Sequence, residues 1–240
     1  MTQLTISVPT TADDSREEIP LAELVEQLTH KLRNQLSVII TAASQLDENI
    51  RDKSDPDDLS LLTAVLTAAD RLEHILQRFV QYGCPDPPRP IPININDLCL
   101  AEVSRNQIIA SGAKGGVRFI TELDHQLPPV FGDANHLRLI LSDLIDNAVE
   151  SIDIKGTISL KTSCQENAVV LTVEDTGRGI PAGAEETIFK PFLSLHSGLP
   201  GMGLAIARRL TRDNQGTIDI VSRRQGGVMV KLKFPIMEKM

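Results

Sequence analysis

The stretch that decides the fold is residues 169–180, which read Val-Val-Leu-Thr-Val-Glu-Asp-Thr-Gly-Arg-Gly-Ile. Val169, Leu171 and Val173 recur with a period of two, which predicts a strand with one apolar face. Asp175 continues that face at the end of the strand. We therefore expect a carboxylate that is fixed at a strand end.

The turn after this strand brings two glycines next to the carboxylate. Gly177 and Gly179 have no side chains, so the backbone can approach a bound ligand closely. In this setting Asp175 can accept a hydrogen bond from an exocyclic amine such as that of adenine. Taken alone, the pattern Asp-x-Gly-x-Gly is weak evidence, because an ordinary Asp-Gly turn has the same residues.

A second glycine motif opens a helix further along the chain. Residues 201–210 read Gly-Met-Gly-Leu-Ala-Ile-Ala-Arg-Arg-Leu, which is a pair of glycines followed by an amphipathic helix. Free N–H groups and the positive end of the helix dipole meet at such a start, so it is a natural phosphate site. An ordinary loop before a helix is the alternative for this motif alone.

Two polar residues on a predicted helix over residues 135–151 form the third feature. Asp143 and Asn147 are four residues apart and so share one helical face. Their oxygen atoms can hold Mg²⁺ beside phosphates, directly or through water. A solvated polar face is the competing interpretation of this pair by itself.

The order and spacing of these features resemble one known family. Asn147 is followed by Asp175-Thr-Gly-Arg-Gly, then by Phe189-Lys-Pro-Phe192, then by Gly201-Met-Gly-Leu. This series resembles the ATP-binding domain shared by histidine kinases, type II topoisomerases and Hsp90-like chaperones, over about residues 94–235. The resemblance implies a Bergerat-type ATP fold with a flexible lid between Phe192 and Gly201.

The resemblance also implies roles for individual residues. Asp143 and Asn147 would serve Mg²⁺, and Asp175 would bind adenine. The nucleotide pocket would further be shaped by Gly177, Gly179, Ile180, Phe189, Phe192, Gly201, Gly203 and Leu204.

The residues before this domain predict a helical hairpin. From Pro20 to about Ile50, and from about Asp57 to Tyr82, apolar residues recur at helical spacing. The first helix has one apolar stripe, made of Val25, Leu28, Leu32, Ile39 and Leu46. The second helix turns its own apolar set inward, namely Leu62, Val65, Leu66, Ala69, Leu72, Ile75, Leu76 and Phe79. A lone hairpin cannot bury both stripes, so we expect a second copy to complete a four-helix bundle in a homodimer.

The first helix carries a candidate phospho-acceptor. His30 lies about 200° around the helix from Leu28 and Leu32, so it is expected to point away from the bundle core. The sequence His30-Lys-Leu-Arg-Asn-Gln-Leu36 resembles the phospho-acceptor box of sensor kinases, and this resemblance places His30, Lys31 and Asn34 in the catalytic set. The linker sequence Pro-Pro-Arg-Pro-Ile-Pro-Ile-Asn-Ile-Asn-Asp-Leu looks most like the nitrogen-regulation type.

Three positions depart from the family pattern. Many sensor kinases have an acidic residue after the histidine to accept its proton, whereas this chain has Lys31, which has no lone pair when protonated. A branch of the family has a basic residue there. Asp143 replaces the commoner asparagine, and a carboxylate remains a competent Mg²⁺ ligand. In the predicted lid the usual lysine is missing, and Pro200 removes one N–H that could meet phosphate.

Composition limits the remaining classes of function. The 240 residues carry a formal net charge of −8, which argues against sequence-independent nucleic-acid binding. Cys84, Cys99 and Cys164 form no Cys-x-x-Cys pair and are expected to be reduced and structural. We find no apolar run of about 20 residues and no signal peptide, so we expect a cytoplasmic protein without membrane insertion.

The sequence therefore predicts an α+β protein. The hairpin would form a dimeric four-helix bundle, and an α/β sandwich would follow, with helices on one face of a mixed sheet. The expected parts are a flexible N-terminal segment (1–19, with one short strand possible over Leu4–Val8), a dimerisation and phospho-acceptor domain (20–83), a Pro-rich linker (84–93) and an ATP-binding domain (94–240).

The expected function follows from these parts. A sensor histidine kinase of this kind would autophosphorylate His30 from Mg-ATP and pass the phosphoryl group to an aspartate in the receiver domain of a response regulator. Asn34 could orient a water for the reverse, phosphatase, activity. The signal would arrive inside the cell or through a separate sensor protein. The alternatives are a catalytically degenerate kinase that acts as a dimeric scaffold or phosphatase, and a serine-directed kinase that restrains a sigma factor.

Overall fold

The computed structural model describes residues 21–50, 56–113, 116–181, 183–191, 201–223 and 226–236. The chain divides into two compact units between Asp86 and Pro87. The predicted N-terminal strand and most of the predicted lid lie outside the described residues. No helix in the described ranges has an apolar stretch long enough to cross a membrane.

The first unit is a hairpin of two long helices that pack against one another, α1 (Leu21–Ile50) and α2 (Pro56–Gly83). Pro56 occupies the first position of α2, where its missing N–H costs no intrahelical hydrogen bond. Both helices begin and end within one residue of the bounds expected from the sequence. The helical periodicity therefore located them correctly.

The seam that closes the hairpin within one chain differs from the stripe expected on α1. Among the side chains that the structure describes, the buried ones on α1 are Thr29, Leu36 and Ala43, spaced by seven, and those on α2 include Leu62 and Ala69. A seven-residue spacing fits several parallel lines on the same helix, so the pattern alone could not choose among them. Small residues such as Ala43 and Ala69 let the two helices approach closely.

The stripe expected from the sequence forms an exposed apolar face on the hairpin. Leu32 is 51 % exposed, Ile39 47 % and Leu46 54 %. On α2, Val65 and Leu72 are exposed to a similar degree. One chain therefore leaves a second line of apolar side chains in contact with water.

The second unit combines helices with two sheets over its described residues. The helices are α3 (Ile95–Ala113), α4 (Ala134–Ser151) and α5 (Gly203–Asp213), with a short 3₁₀ helix at Thr187–Phe189. The strands are β1 (Ile91–Ile93), β2 (Val117–Glu122), β3 (Val130–Gly132), β4 (Gly156–Gln165), β5 (Ala168–Asp175), β6 (Thr217–Ser222) and β7 (Val228–Pro235).

The main sheet is mixed and has the strand order β2-β4-β5-β7-β6. β2 runs parallel to β4, and the other neighbours are antiparallel. One face is apolar: Val173 pairs with Leu160 and Val230, and all three are buried. α4 and α5 pack together and supply the other side of this core, with Ile140, Leu141, Ile145, Ala205, Ile206 and Leu210 buried.

The opposite face of the main sheet is polar. Lys161, Thr172, Lys231 and Asp219 follow one another across four strands in register. The helices on one face and the polar row on the other confirm the predicted sandwich, in which the period of two along each strand separates core from solvent. β5 lies at the centre of this sheet, so its end is well supported.

Aspartate 133 joins the start of α4 to two other parts of the unit. Asp133 caps the helix by accepting hydrogen bonds from the N–H groups of Asn135 (2.9 Å) and His136 (3.0 Å) on Oδ1. Its Oδ2 accepts from the N–H of Arg89 (2.9 Å), and its own N–H donates to Oδ1 of Asn214 at the end of α5 (2.7 Å). The cap thus fixes α4 relative to α5.

The two short strands were not expected from the sequence. β1 pairs antiparallel with β3, so residues 91–93, placed in the linker by their prolines, pair with the second unit. Pro92 has no N–H to donate. It is tolerated because both strands of a two-stranded sheet are edge strands, where some N–H positions need no partner in the sheet. Three-residue strands are too short to show a period.

The cysteines have free thiols, as expected. Cys99 on α3 is fully buried, and burial raises the pKa of its thiol to about 12 despite a backbone hydrogen bond. Cys84 is partly exposed and Cys164 is exposed. A thiol as basic as that of Cys99 is not a nucleophile at neutral pH, which fits a structural role.

Candidate functional site

Asp175 lies at the end of β5 with its carboxylate fixed by neighbouring donors. The side chain is buried, and Oδ1 accepts a hydrogen bond from the N–H of Gly177 (2.7 Å) and lies 3.1 Å from the hydroxyl of Ser151. Burial raises the pKa of this carboxyl group, and the nearby N–H groups and hydroxyl only partly offset that effect. The structure therefore holds a carboxylate in a place that disfavours its charge.

The glycine turn packs directly against the end of α4. A Cβ atom on Gly177 would overlap the side chain of Ser151, so only glycine fits there. Gly179 has a φ of +78°, a conformation that other residues rarely adopt. The N–H of Arg178, between them, donates to the carbonyl oxygen of Ser151 (3.1 Å). Glycine is therefore required at position 177 for a steric reason and favoured at position 179 for a conformational one.

A single cavity gathers the three motifs that the sequence analysis singled out. It is lined by the end of β5, one face of α4, the turn after β5 and the start of α5. Seven of the predicted site residues border it: Asn147, Asp175, Gly179, Ile180, Gly201, Gly203 and Leu204. Its other walls are mostly apolar, with Leu144, Val173, Ile188, Ile220, Val228 and Val230. An apolar slot with a few fixed polar groups suits a flat heterocycle.

Three predicted residues lie elsewhere, and a fourth is not described. Gly177 supports Asp175 from behind and does not border the cavity. Asp143 is buried one turn before Asn147 and also lies outside the lining. Phe189 is buried, and the Cζ atom of Arg208 lies 4.7 Å from the centre of the Phe189 ring. Phe192 is outside the described residues.

Sequence reasoning missed three contributors to this site. Ser151 and Arg178 border the cavity. Gly227, in the turn between β6 and β7, has a φ of +84° and lies against the main chain of Asp175. The Gly226-Gly227 pair was a visible turn signal, but nothing in the sequence told which distant strand it would touch.

The turn at Gly227 supplies a testable effect on stability. A Cβ atom on Gly227 would overlap the carbonyl oxygen of Asp175, whereas a Cβ atom on Gly226 (φ +89°) would meet its nearest neighbour, the carbonyl oxygen of Gly177, at 3.6 Å. Both alanine variants bear the cost of positive φ, roughly 1–2 kcal/mol. We expect Gly227→Ala to cost about 1–3 kcal/mol more than Gly226→Ala in urea unfolding, because of the added overlap. Equal losses would contradict this reading.

The hairpin places the candidate phospho-acceptor on its surface. His30 and Asn34 on α1 are both exposed, and the Asn34 amide nitrogen lies 3.4 Å from Nδ1 of His30. Thr29, the neighbour of His30, is buried in the seam. The imidazole is thus accessible in the single hairpin. The side chain of Lys31 is outside the described residues.

The polar groups of the cavity include some that could bind a nucleotide and one that could bind its metal ion. Asp175, with Gly179 beside it, provides an acceptor in an apolar slot, and Gly201 and Gly203 leave the backbone at the start of α5 open. Asn147 offers one oxygen to a cation. No group of three or more His, Cys, Asp or Glu gathers among the described residues.

Known proteins share this combination of parts. Residues 132–238 match the family described as histidine kinase-, DNA gyrase B-, and HSP90-like ATPase. The chain is 29 % identical over 217 residues to the signal transduction histidine-protein kinase AtoS of Escherichia coli, covering 90 % of this chain and 35 % of AtoS. It is 28 % identical over 229 residues to the sensory histidine kinase/phosphatase NtrB of Rhodobacter capsulatus, covering 90 % of this chain and 62 % of NtrB.

Solved structures share the fold. Full-length ShkA in complex with AMPPNP matches with a TM-score of 0.77 at 23 % identity, covering 91 % of this chain and 47 % of ShkA. The histidine kinase ThkA, in complex with the response regulator protein TrrA, matches with a TM-score of 0.65 at 22 % identity, covering 89 % of this chain and 62 % of ThkA.

The chain spans less than two thirds of the length of these relatives. The match nevertheless runs through the hairpin as well as the nucleotide-type cavity, since 90 % of this chain is covered. Residues 132–238 therefore match an ATPase domain of the histidine kinase-, DNA gyrase B-, and HSP90-like family, and most of the chain is similar to proteins named as histidine kinases, such as AtoS and NtrB.

Proposed function

We propose that this chain is an ATP-dependent protein-histidine kinase that phosphorylates its own His30. The observation that carries the proposal is the cavity that joins Asp175, Asn147 and the glycine-opened start of α5, on a chain that also exposes His30 on a helical hairpin. The relatives named as histidine kinases support the same activity.

Different residues of the cavity bind different parts of the nucleotide. Asp175 accepts a hydrogen bond from the 6-amino group of adenine, in a slot with apolar walls. The N–H groups and dipole at the start of α5 receive phosphate oxygens. Asn147 and Asp143, one turn apart on α4, are the proposed protein residues that serve Mg²⁺, and of the two only Asn147 borders the cavity. When bound, Mg²⁺ neutralises charge on the phosphates.

The transfer step exchanges one bond for another at phosphorus. A ring nitrogen of neutral His30 uses its lone pair to attack the γ-phosphorus, and the bond from that phosphorus to the β,γ-bridging oxygen breaks, so that ADP leaves. The ring proton is then released to water. Exposure of His30 makes this approach possible, and Asn34, close to Nδ1, is placed to hold the ring or a water beside it.

We further propose a homodimer with a response regulator as the phosphoryl acceptor. The exposed face with Leu32, Ile39 and Leu46 is long and apolar enough to pack against a second hairpin. An aspartate in a receiver domain would take the phosphoryl group from His30, and Asn34 would serve the reverse phosphatase activity. Because ATP and response regulators are found in the cytoplasm, we place the reaction there.

Incubation with γ-labelled ATP and Mg²⁺ tests this function. We expect label on the protein that is lost in acid and kept in base, as for a phosphoramidate on histidine. Acid-stable label would indicate a serine or threonine acceptor and would overturn the proposal. The control is α-labelled ATP, which should leave no label on the protein.

A degenerate kinase is the second candidate, because Lys31 follows His30 and the segment before Gly201 lacks the usual lysine. Such a protein would act as a dimeric scaffold or phosphatase for a response regulator. It predicts nucleotide binding without any label on the protein. Calorimetry with ATP, run beside the labelling reaction, separates the two candidates.

A further inference from the structure

We propose that Ser151 is a specificity-determining residue, which orients the carboxylate of Asp175 so that the cavity selects a 6-aminopurine over a 6-oxopurine. The inference rests on the proposed function, since it takes a purine nucleotide as the ligand of this cavity. Ser151 is the last residue of α4 and borders the cavity beside Asp175.

The contacts of Ser151 fix one carboxylate oxygen. Its hydroxyl lies 3.1 Å from Oδ1 of Asp175, and the N–H of Gly177 donates to that same oxygen at 2.7 Å. Two donors that converge on one oxygen set the rotation of the carboxylate about its Cβ–Cγ bond. The ligand in the cavity therefore meets a carboxylate in a defined orientation.

The single proton of the Ser151 hydroxyl has two possible acceptors. These are the carbonyl oxygen of Ala148 at 2.8 Å and Oδ1 of Asp175 at 3.1 Å. An ionised carboxylate is the stronger acceptor, so an ionised Asp175 draws the proton towards itself. In return, donation from Ser151 favours the ionised form, which can only accept hydrogen bonds.

An acceptor-only carboxylate distinguishes the two kinds of purine. Adenine presents an amine at position 6 and can donate to Asp175. Hypoxanthine and guanine have a carbonyl oxygen at position 6. That oxygen and the Asp175 carboxylate are both acceptors, so neither could donate a hydrogen bond to the other in this buried place. Weakening the ionised, oriented state of Asp175 should therefore harm adenine binding more than the binding of a 6-oxopurine.

The surroundings of Ser151 hold it in place for this role. Gly177 lacks a Cβ atom at the point where one would overlap the serine side chain. The N–H of Arg178 donates to the Ser151 carbonyl oxygen at 3.1 Å, and the Arg178 guanidinium donates to the carbonyl oxygen of Glu150 at 3.0 Å. The turn after β5 thus holds the end of α4 in place, so the Ser151 hydroxyl stays within reach of Asp175.

The test measures the affinities of ATP and inosine triphosphate by calorimetry in the full chain. The proteins are the wild type, Ser151→Ala, Asp175→Asn and the double variant. We expect Ser151→Ala to weaken ATP binding about tenfold, the loss of one hydrogen bond to a charged group, and to weaken inosine triphosphate binding by less than about twofold. In the Asp175→Asn background, Ser151→Ala should not change the ratio of the two affinities.

The controls separate this inference from the proposed function. Ser142→Ala removes a hydroxyl from α4 that contacts Arg105 and Asp146 away from the cavity, and should leave both affinities unchanged. If Ser151→Ala weakened both nucleotides equally, or neither, the inference would be overturned while the proposed function stood. If the wild type did not prefer ATP over inosine triphosphate, the inference would likewise be overturned; if it bound neither nucleotide, the proposed function would be overturned as well.

Discussion

Replacing Asp175 with asparagine is expected to weaken ATP binding roughly 100-fold, measured by calorimetry at pH 7. The carboxylate is buried at the base of the cavity, and its proposed partner is the 6-amino group of adenine. In the variant an uncharged amide replaces the charged acceptor, and its NH₂ end can face the donor of the ligand.

The matched control is Asp219→Asn. Asp219 is an exposed aspartate on β6 of the same sheet, and it does not border the cavity. We expect its ATP affinity to stay within about twofold of the wild type. If Asp175→Asn bound ATP as the wild type does, Asp175 would not be the adenine acceptor.

Although Asp175→Asn should weaken ATP binding, it should not lower the free energy of unfolding. Burial raises the pKa of Asp175 above its value in the unfolded chain. The protonated group therefore contributes stability that is fully present below the unfolded pKa and is lost as the pH rises through the folded pKa. In the folded wild type, burial therefore disfavours ionisation of Asp175. We expect Asp175→Asn to unfold in urea at the same concentration or a higher one.

The same shift predicts how ATP affinity depends on pH. Binding of the adenine amine needs the ionised carboxylate, and the raised pKa means that protonation begins at a higher pH than for an ordinary aspartate. On acidification, the affinity for ATP should therefore fall before exposed aspartates titrate. In Asp175→Asn this part of the pH dependence should be absent.

Replacing His30 with glutamine is expected to lower the autophosphorylation rate by a factor of roughly 1,000 or more, because the nucleophile is lost. An amide nitrogen has no available lone pair for attack on phosphorus. His30 is exposed on α1, so the substitution should not disturb the seam of the hairpin. The measurement is the initial rate of acid-labile label from γ-labelled ATP.

The matched control on the same hairpin is His74→Gln. His74 is an exposed histidine on α2, so it tests whether any surface imidazole of the hairpin can accept the phosphoryl group. We expect its labelling rate to equal that of the wild type, and ATP affinity to be unchanged in both variants. Persistent labelling of His30→Gln would mean that another residue is the acceptor.

Much of the architecture could be predicted from local patterns. The positions of α1, α2, α4 and β5 followed from periods of 3.6 or two, together with the turn residues between them. The three-residue strands β1 and β3 were missed because a period needs more residues to show itself. The line of α1 residues that closes the hairpin could not be chosen from the sequence, because seven-residue spacing describes several lines at once.

The chemistry of the site divides in the same way. The sequence by itself determined the residue types that a nucleotide site needs, Asp175, Asn147 and the glycines, since these recur in a fixed order along the chain. Only the tertiary structure decided that Asn147 borders the cavity while Asp143 is buried behind it, and that Ser151 and Gly227 support Asp175. Contacts between residues far apart in sequence depend on how strands and helices pack, and no local pattern records that packing.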